Sequence, residues 1–437
     1  MAESSTHPAS SRLQLRPWHF VLCFGLVSLF ADMVYEGARS IIGPYLATLG
    51  ASAAVVGAVA GVAEFIGYGL RVASGYLVQR RGHYWTWTIT GYALTVLSVP
   101  LIGATNVIAP ALVLYGTERL GKAVRSPAKD TLLSHASTQT GGGTAFGVHQ
   151  AMDQAGALAG PLLLAAVLSQ HEGNYRLAFG VLIVPAVIVL ALLFWLRYRV
   201  PDPAAYEVAA REGAASEGAA RDGTAYEGRT AAELAPHLGP DGSDGSAGSA
   251  TVQGRHPRVV LPRLLRQYIG AVGLLSLGIA SFPLLAFHAQ TTGLLTSAQV
   301  PVLFALAMMV DGVSGLLMGR LYDRRGPGTL YLVPVAAGLS AVAFTDDAAL
   351  VWAGVAIWGV VNGVLDSTVK ALVTDLVAAD GRSIAFGWLA FARGLGLLLA
   401  GVLLGLAYEQ SITLVVWLIV GINAVALAVL SWVLARV

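Results

Sequence analysis

Charged side chains, cysteines and several catalytic motifs are scarce or absent in this sequence of 437 residues. Only 12% of the residues are charged and 56% are apolar, whereas a soluble domain averages about 25% charged residues. The single cysteine, Cys23, excludes an internal disulfide framework and a cysteine-based zinc site. The complete phosphate-binding loop G-x-x-x-x-G-K-S/T is missing, as are the hydrolase motifs H-E-x-x-H and G-x-S-x-G. These absences argue against a soluble protein, against direct ATP coupling and against an enzyme.

Long apolar segments make up most of the chain. A hydrocarbon core about 30 Å thick requires about 20 apolar residues per helix, and such segments form two groups of six separated by a polar gap. The sequence therefore predicts an all-α membrane protein with twelve transmembrane helices in two six-helix bundles. The predicted helices lie near residues 18–47, 53–78, 84–104, 108–126, 145–169 and 177–198, and near 264–289, 299–321, 329–345, 350–377, 384–408 and 412–435.

The polar gap divides the chain into four predicted parts. These are a tail at residues 1–17, a first bundle at 18–198, a linker at 199–262 and a second bundle at 263–437. The linker combines small residues with single charges and has almost no large apolar side chain. Such a segment cannot bury enough apolar surface to offset the entropy of ordering, so we predict a disordered linker, with a helical tether as the alternative.

Basic residues are concentrated on one side of the predicted helices. Arg80, Arg81 and Arg324 fall on the side of the N-terminus, whereas Asp346 and Glu409 fall on the opposite side. Cytoplasmic loops of membrane proteins carry an excess of arginine and lysine. We therefore expect a multi-pass protein of the cytoplasmic membrane with both termini and the linker in the cytoplasm.

The two halves resemble each other at corresponding places. Residues 75–82 follow the second predicted helix and residues 319–326 follow the eighth. The string Ala-Phe-Gly opens the fifth helix at 145–147 and the eleventh at 385–387. Parallel six-helix repeats are typical of transporters whose substrate site lies between the repeats.

The stretch 319–326 carries the pattern G-x-x-x-D-R-x-G, and on this motif the chain resembles the major facilitator superfamily. The resemblance covers nearly everything outside the tail and the linker. It implies the major facilitator fold, alternating access by rocking of the two bundles, and a cavity between them. It also implies gating roles for two sets of motif residues, which are Gly75, Arg80 and Gly82 in the first half and Gly319, Asp323, Arg324 and Gly326 in the second.

The aspartate of this motif has a specific expected partner. In the family it faces the positive end of a helix in the other half, so the resemblance predicts a contact between Asp323 and the start of the fifth helix. The first copy has Gln79 in place of the aspartate and cannot make the contact as a charge.

The fifth predicted helix contains Gly147, Gly156, Gly160 and Pro161 in the pattern G-x8-G-x3-G-P. This pattern resembles the motif of drug:proton antiporters in the same superfamily, which implies a hinge and export. The residues themselves indicate close helix packing with a proline bend. Because glycines are frequent in packed membrane helices, the motif discriminates only weakly between export and uptake.

Three ionisable residues share one face of the first predicted helix. Asp32, Glu36 and Arg39 are spaced i, i+4 and i+7, and charges inside a membrane are costly unless they serve a function. A carboxylate in low-dielectric surroundings holds a proton readily, and an approaching arginine favours its release. The sequence therefore predicts a proton-coupling site here, with a static Glu36–Arg39 pair as the alternative.

Other polar residues within the helices are candidates for the substrate cavity, namely Tyr35, Glu64, Arg119, Asn362 and Asp366. The family commonly has a cavity-facing arginine in the fourth helix, so the resemblance predicts that Arg119 partners Asp32 or an anionic substrate group. Lys122 and Arg125 are expected nearer the cytoplasm, with a solvated or gating role.

Opposite charges also occupy equivalent positions in the two halves. Asp153 corresponds to Arg393, and Arg125 corresponds roughly to Asp366. We predict contacts between the halves at these positions that break and form during rocking. His149 lies one turn before Asp153, which suits a proton relay or a structural pair, and the sequence offers too few further ligands for a metal site.

These observations together favour a proton-coupled exporter of a small organic molecule. Proton symport for uptake of a polar metabolite is the first alternative, and a non-transporting receptor on the same fold is another. We expect small solutes, protons and the lipid bilayer as partners, a monomer, and neither a cofactor nor nucleic acid.

Overall fold

The computed structural model describes residues 15–140, 142–206, 262–377 and 382–436. These residues form helices and turns, without a strand among them. The predicted tail and linker fall mainly at 1–14 and 207–261, outside the described residues. The first half contains α1 (Pro17–Thr48), α2 (Ala53–Arg81), α3 (Tyr84–Ala104), α4 (Ile108–Thr140), α5 (Gly142–Gln170), α6 (Tyr175–Val181) and α7 (Ile183–Arg199). The second half contains α8 (Arg263–Leu277), α9 (Phe282–Thr291), α10 (Gln299–Arg325), α11 (Leu332–Leu339), α12 (Ala348–Leu376), α13 (Arg382–Gln410) and α14 (Ile412–Leu434).

Ten helical segments of the described chain are long and apolar enough to cross a membrane. Charges recur along α4, which is not among the ten. One of the ten, Gln299–Ala343, has 45 residues, enough for two crossings of about 20 residues, and it combines α10 with α11 and two short 3₁₀ turns. Nine of the ten segments cross once, with α6–α7 and α8–α9 each forming one crossing, and the 45-residue segment crosses twice. With α4 as a further crossing, the described chain crosses twelve times. The predicted all-α membrane fold is confirmed.

The seventh crossing is interrupted between α8 and α9. A break inside a membrane leaves backbone carbonyls without helical partners, and these must be satisfied by other groups. The Asn423 amide donates to the Gly278 carbonyl at 2.8 Å, and the Trp358 indole donates to the Ala280 carbonyl at 2.8 Å. Neighbouring crossings of the same half therefore stabilise the break.

The two halves meet on one side of the membrane. We call the side with the chain ends the terminal side and the opposite side the distal side. Hydrogen bonds between described residues join the halves on the distal side, among them Ala54 N to Glu409 Oε1 at 3.1 Å, Gly173 N to Ser297 Oγ at 3.3 Å, and Tyr175 Oη to Gln290 Oε1 at 2.6 Å. Between described residues, no hydrogen bond joins the halves on the terminal side. The protein is therefore closed distally in this conformation.

Glycines bring α2 and α13 into backbone contact at the distal closure. A Cβ atom on Gly57 would overlap the Gly401 carbonyl oxygen, and a Cβ on Gly401 would overlap the Gly57 carbonyl oxygen. One turn along each helix, a Cβ on Gly61 would lie 2.8 Å from Leu398 O, and one on Gly405 would lie 2.8 Å from Ala53 O. Small residues permit such approaches between membrane helices.

Ordered structure of the first half continues past α7. The Trp85 indole donates to the Val200 carbonyl at 3.1 Å, and the Tyr206 hydroxyl donates to the Leu15 carbonyl at 2.6 Å. The first residues of the predicted linker, up to Tyr206, therefore pack against the bundle.

Candidate functional site

Four ionisable side chains of the first half form one network near the middle of the bundle. Arg39 of α1 lies 2.8 Å from Glu64 of α2 and 3.6 Å from Glu36 of its own helix. Lys122 of α4 lies 3.5 Å from the other Glu36 oxygen. The side chains are between 9% and 20% exposed, so two carboxylates and two cations from three helices balance one another with little water.

Tyr35 connects this network to Asp32. Its hydroxyl donates a hydrogen bond to the Asp32 carboxylate. The Lys122 ammonium lies 4.1 Å from the centre of the Tyr35 ring, and the Arg125 guanidinium carbon lies 5.2 Å from it. Arg125 also lies 4.2 Å from the Tyr92 ring centre. Cations over aromatic faces are attracted by the ring quadrupole, so Tyr35 holds one carboxylate and two cations around a single side chain.

The three ionisable residues that share one face of α1 therefore belong to two groups of contacts. Glu36 and Arg39 are brought together as the spacing predicts, whereas Asp32 belongs to the neighbouring group around Tyr35. Lys122 was expected nearer the cytoplasm, but the structure places it between Glu36 and Tyr35. Its position one turn after Glu118 on a charged helix face was the available signal.

Arg119 differs most from its predicted surroundings. Its side chain is 3% exposed, and its Nε lies 3.1 Å from Glu118 Oε2. A terminal nitrogen donates to the Tyr115 hydroxyl at 3.2 Å. In this conformation Arg119 pairs with the adjacent Glu118 and not with Asp32, and its predicted contact with an anionic substrate group stays a prediction.

The second half contributes one ion pair. Arg393 of α13 donates to Asp366 of α12 at 2.6 Å, and its guanidinium lies 4.9 Å from the centre of the Tyr68 ring in α2. The Asp366 side chain is 51% exposed although it lies far from both ends of its helix. This exposure is compatible with the predicted place of Asp366 in the substrate cavity, which stays a prediction.

The predicted ion pairs between the halves are not formed. Arg393 pairs with Asp366 inside the second half, and Arg125 faces Tyr35 and Tyr92 inside the first. Asp153 lies 3.8 Å from His149 on its own helix. Helices of one half lie side by side at this depth, so each charge finds a nearer partner within its own half.

Two further polar residues of the second half lie near the centre. The Asn362 amide donates to the Trp358 carbonyl at 3.0 Å. Asp311 of α10 is half-buried and within electrostatic range of Asp366, Glu36, Arg39 and Arg393. Asp311 thus extends the charged region across the boundary between the halves.

The loop motifs end α2 and α10 in the same way. Gly82 and Gly326 directly follow these helices with φ angles of 63° and 68°, a left-handed conformation that glycine adopts without steric cost. Asp323 is exposed, and within the described chain it forms no ion pair or hydrogen bond. No hydrogen bond of the described chain joins the terminal sides in this conformation, and the predicted contact of Asp323 with the start of α5 stays a prediction.

The remaining motif residues have few close contacts with other helices. A Cβ on Gly75 of α2 would be in ordinary contact with Pro127, and a Cβ on Gly319 of α10 would meet no other atom within 4 Å. Arg80 and Arg324 are exposed at the ends of their helices. Their gating roles remain predictions.

The glycines of α5 pack against α1 to different extents. A Cβ on Gly156 would overlap the Leu29 carbonyl oxygen, and one on Gly160 would overlap the Met33 carbonyl oxygen, whereas a Cβ on Gly147 would meet nothing within 4 Å. Pro161 lies within the continuous α5 helix. Two of the motif glycines therefore set the α1–α5 distance, which positions Asp32 beside α5.

Comparison with known proteins agrees with this architecture. The family model of the Major Facilitator Superfamily matches residues 24–401. An uncharacterized protein of Mycobacterium tuberculosis is 41% identical over 425 residues, covering 96% of this chain and 94% of the relative. An uncharacterized MFS-type transporter of Methanocaldococcus jannaschii is 21% identical over 400 residues, covering 90% and 89%.

Solved structures show the same fold at low sequence identity. A mutant form of the nucleoside transporter NupG has a TM-score of 0.70 and 12% identity, covering 95% of this chain and 99% of that one. The peptide transporter POT in complex with sulfate has a TM-score of 0.65 and 16% identity, covering 95% and 94%. The family model, the repeated halves and the twelve crossings lead to one conclusion: the chain belongs to the Major Facilitator Superfamily and is a multi-pass membrane transporter.

Proposed function

We propose that this transporter exports a small organic solute across the cytoplasmic membrane in exchange for protons. The observation that carries the proposal is the compensated charge network of Glu36, Arg39, Glu64 and Lys122, with Asp32 beside it. Protonation of Asp32 or Glu36 removes one negative charge from a nearly balanced buried group. The cations must then find other partners, which is a direct route from proton binding to helix movement.

The halves are joined by hydrogen bonds on the distal side, whereas no hydrogen bond between described residues joins them on the terminal side. This difference supports alternating access. If the terminal side is cytoplasmic, as the basic residues predict, the solute reaches Asp366 from the cytoplasm in the present conformation. Proton binding at the α1 carboxylates and rearrangement of the network would accompany the opposite opening. Antiport requires that proton and solute cross in opposite directions in alternate half-cycles, whereas symport requires that they cross together.

Proton movement in liposomes tests the proposal. The purified transporter is reconstituted with an internal pH dye and challenged with a panel of cationic, zwitterionic and anionic solutes. We expect a solute-dependent pH change that is lost in Asp32→Asn or Glu36→Gln, and its sign separates antiport from symport. Glu172→Gln is a matched control, because Glu172 is an exposed carboxylate of the distal loop. Solute transport without a pH change, or with unchanged coupling in both α1 variants, would refute proton coupling.

A further inference from the structure

A second polar cluster lies on the terminal side of the charge network and is centred on His149. The His149 side chain is 5% exposed. Its Nε2 atom lies 3.1 Å from Lys129 Nζ of α4, 3.2 Å from Ser28 Oγ of α1 and 3.8 Å from Asp153 Oδ2 of α5. Three helices therefore direct polar groups at one nitrogen atom of a buried imidazole.

The contact with Lys129 determines which ring nitrogen carries the proton. A charged lysine has only donors, so Nε2 accepts from Lys129 and the neutral ring carries its proton on Nδ1. Nδ1 and the Asp153 Oδ1 atom are buried without a hydrogen-bond partner among the described residues. Buried polar atoms are normally satisfied, so Nδ1–H has capacity for an accepting water and Asp153 Oδ1 for a proton or a donating water.

Protonation would reverse the preferred partner of His149. A proton on Nε2 repels the Lys129 ammonium and attracts the Asp153 carboxylate, which faces the same atom. Other charges also face the cluster, because Arg125 and Asp130 of α4 lie within electrostatic range of the ring. The cluster thus has two arrangements that differ by one proton on Nε2.

Asp153 connects His149 to the first helix. Gly156 follows Asp153 by three residues, and a Cβ on it would lie 2.9 Å from the Asp32 Cβ atom. The missing side chain lets α1 approach α5, and the Asp153 and Asp32 carboxylates lie within electrostatic range of one another. A chain of titratable groups therefore runs from His149 through Asp153 to Asp32 and the Tyr35 hydroxyl.

We propose that His149 is the proton-exchange residue of the terminal side and that it passes protons through Asp153 to Asp32. A proton from the aqueous phase binds Nε2, the Lys129 contact opens, and the same proton leaves Nε2 for an oxygen of Asp153. This inference rests on the proposed proton coupling and assigns the residue through which the proton enters or leaves. His149 is distinct from the carboxylates that respond to solute.

His288 provides an internal contrast. It is also a buried histidine, but its Nδ1 lies 2.9 Å from the Tyr408 hydroxyl and its Nε2 lies 3.2 Å from the Thr345 carbonyl oxygen. Both ring nitrogens are therefore satisfied without a charged partner, which is the arrangement of a structural histidine.

Histidine titration by NMR tests the inference without requiring the substrate. Protein labelled with ¹³C at the histidine ε1 position is placed in lipid nanodiscs, and the His149 resonance is assigned by its loss in His149→Gln. We expect this resonance to shift as the pH is lowered, because His149 then gains a proton on Nε2. Asp153→Asn and Lys129→Met remove charges of opposite sign, so they should move its midpoint in opposite directions by about 1 pH unit each. The His288 resonance should be unaffected and reports that each variant is folded.

Two results would overturn the assignment. One is a His149 resonance that does not titrate, and the other is a midpoint that both charge variants leave unchanged while the His288 resonance stays native. The liposome experiment tests the proposed proton coupling independently of this inference. Proton-coupled transport with a silent His149 would overturn only this inference, whereas a titrating His149 without proton transport would overturn the proposed coupling.

Discussion

Gly57 of α2 faces the backbone of α13 at the distal closure. A methyl group added at this position would destabilise only the distally closed conformation, in which the two helices are in contact. A Cβ atom at this position would overlap the Gly401 carbonyl oxygen, and it would also lie 3.0 Å from the Gly405 Cα atom. Both obstacles are backbone atoms, so no side chain can rotate away. Gly57→Ala must therefore separate the two helices whenever the distal side is closed.

The size of the effect follows from this overlap. Overpacking a tight contact costs about 1–3 kcal/mol, and this cost falls on the distally closed conformation alone. An energy of that size changes the ratio of the two conformations by about 5- to 150-fold. Alanine also favours a helix over glycine by about 1 kcal/mol, but this gain applies to both conformations and does not affect their ratio.

Distances between spin labels on the distal loops measure the change. Cysteines at His171 and Thr292, which are exposed and lie in opposite halves, are labelled in a Cys23→Ser background. Pulsed electron resonance should show a longer distance in Gly57→Ala than in the parent protein. Gly421→Ala is the matched control, because a Cβ there would meet nothing within 4 Å. An unchanged distance distribution in Gly57→Ala would refute the proposed role of the glycine contact.

Two other contacts lead to similar predictions. Glu409→Gln weakens the acceptor that receives the Ala54 N–H at the start of α2, so the same distal distance should lengthen, whereas Asp347→Asn should not change it because Asp347 caps a helix of its own half. Glu64→Gln removes the carboxylate charge 2.8 Å from Arg39 and leaves Glu36 at 3.6 Å as its remaining charged partner, and removing one partner of a buried ion pair costs up to about 3–5 kcal/mol. Thermal unfolding in detergent should show this loss, and the double variant with Arg39→Met should recover part of it. No recovery in the double variant would mean that the pair contributes little.

The number and type of the crossings could be predicted from the sequence because each crossing satisfies its own backbone hydrogen bonds. Length and apolar composition then suffice to locate a helix. The shared face of Glu36 and Arg39 follows in the same way from the spacing of residues along one helix. The interrupted seventh crossing was not predicted, because its freed carbonyls are satisfied by Trp358 and Asn423, which are distant in sequence.

The charge partners depended on the tertiary structure. Spacing along α4 indicates that Glu118, Lys122 and Arg125 share a face, but it does not tell which of them meets α1. The packing of three helices decides that Lys122 reaches Glu36 and that Arg119 stays with Glu118. The apparent match of charges between the halves was misleading for the same reason, since Arg393 finds Asp366 at 2.6 Å within its own half.

The sequence by itself thus determined the membrane-spanning architecture, the two halves and the set of intramembrane ionisable residues, because each of these depends on local composition and period. Only the tertiary structure decided which charges meet, which glycines form the closure and which buried histidine has a ring nitrogen without a hydrogen-bond partner among the described residues. Those outcomes depend on rotation and axial shift between helices. If one helix rotates or shifts along its axis by one residue relative to its neighbour, different side chains come together. The local sequence pattern of each helix is the same in both cases.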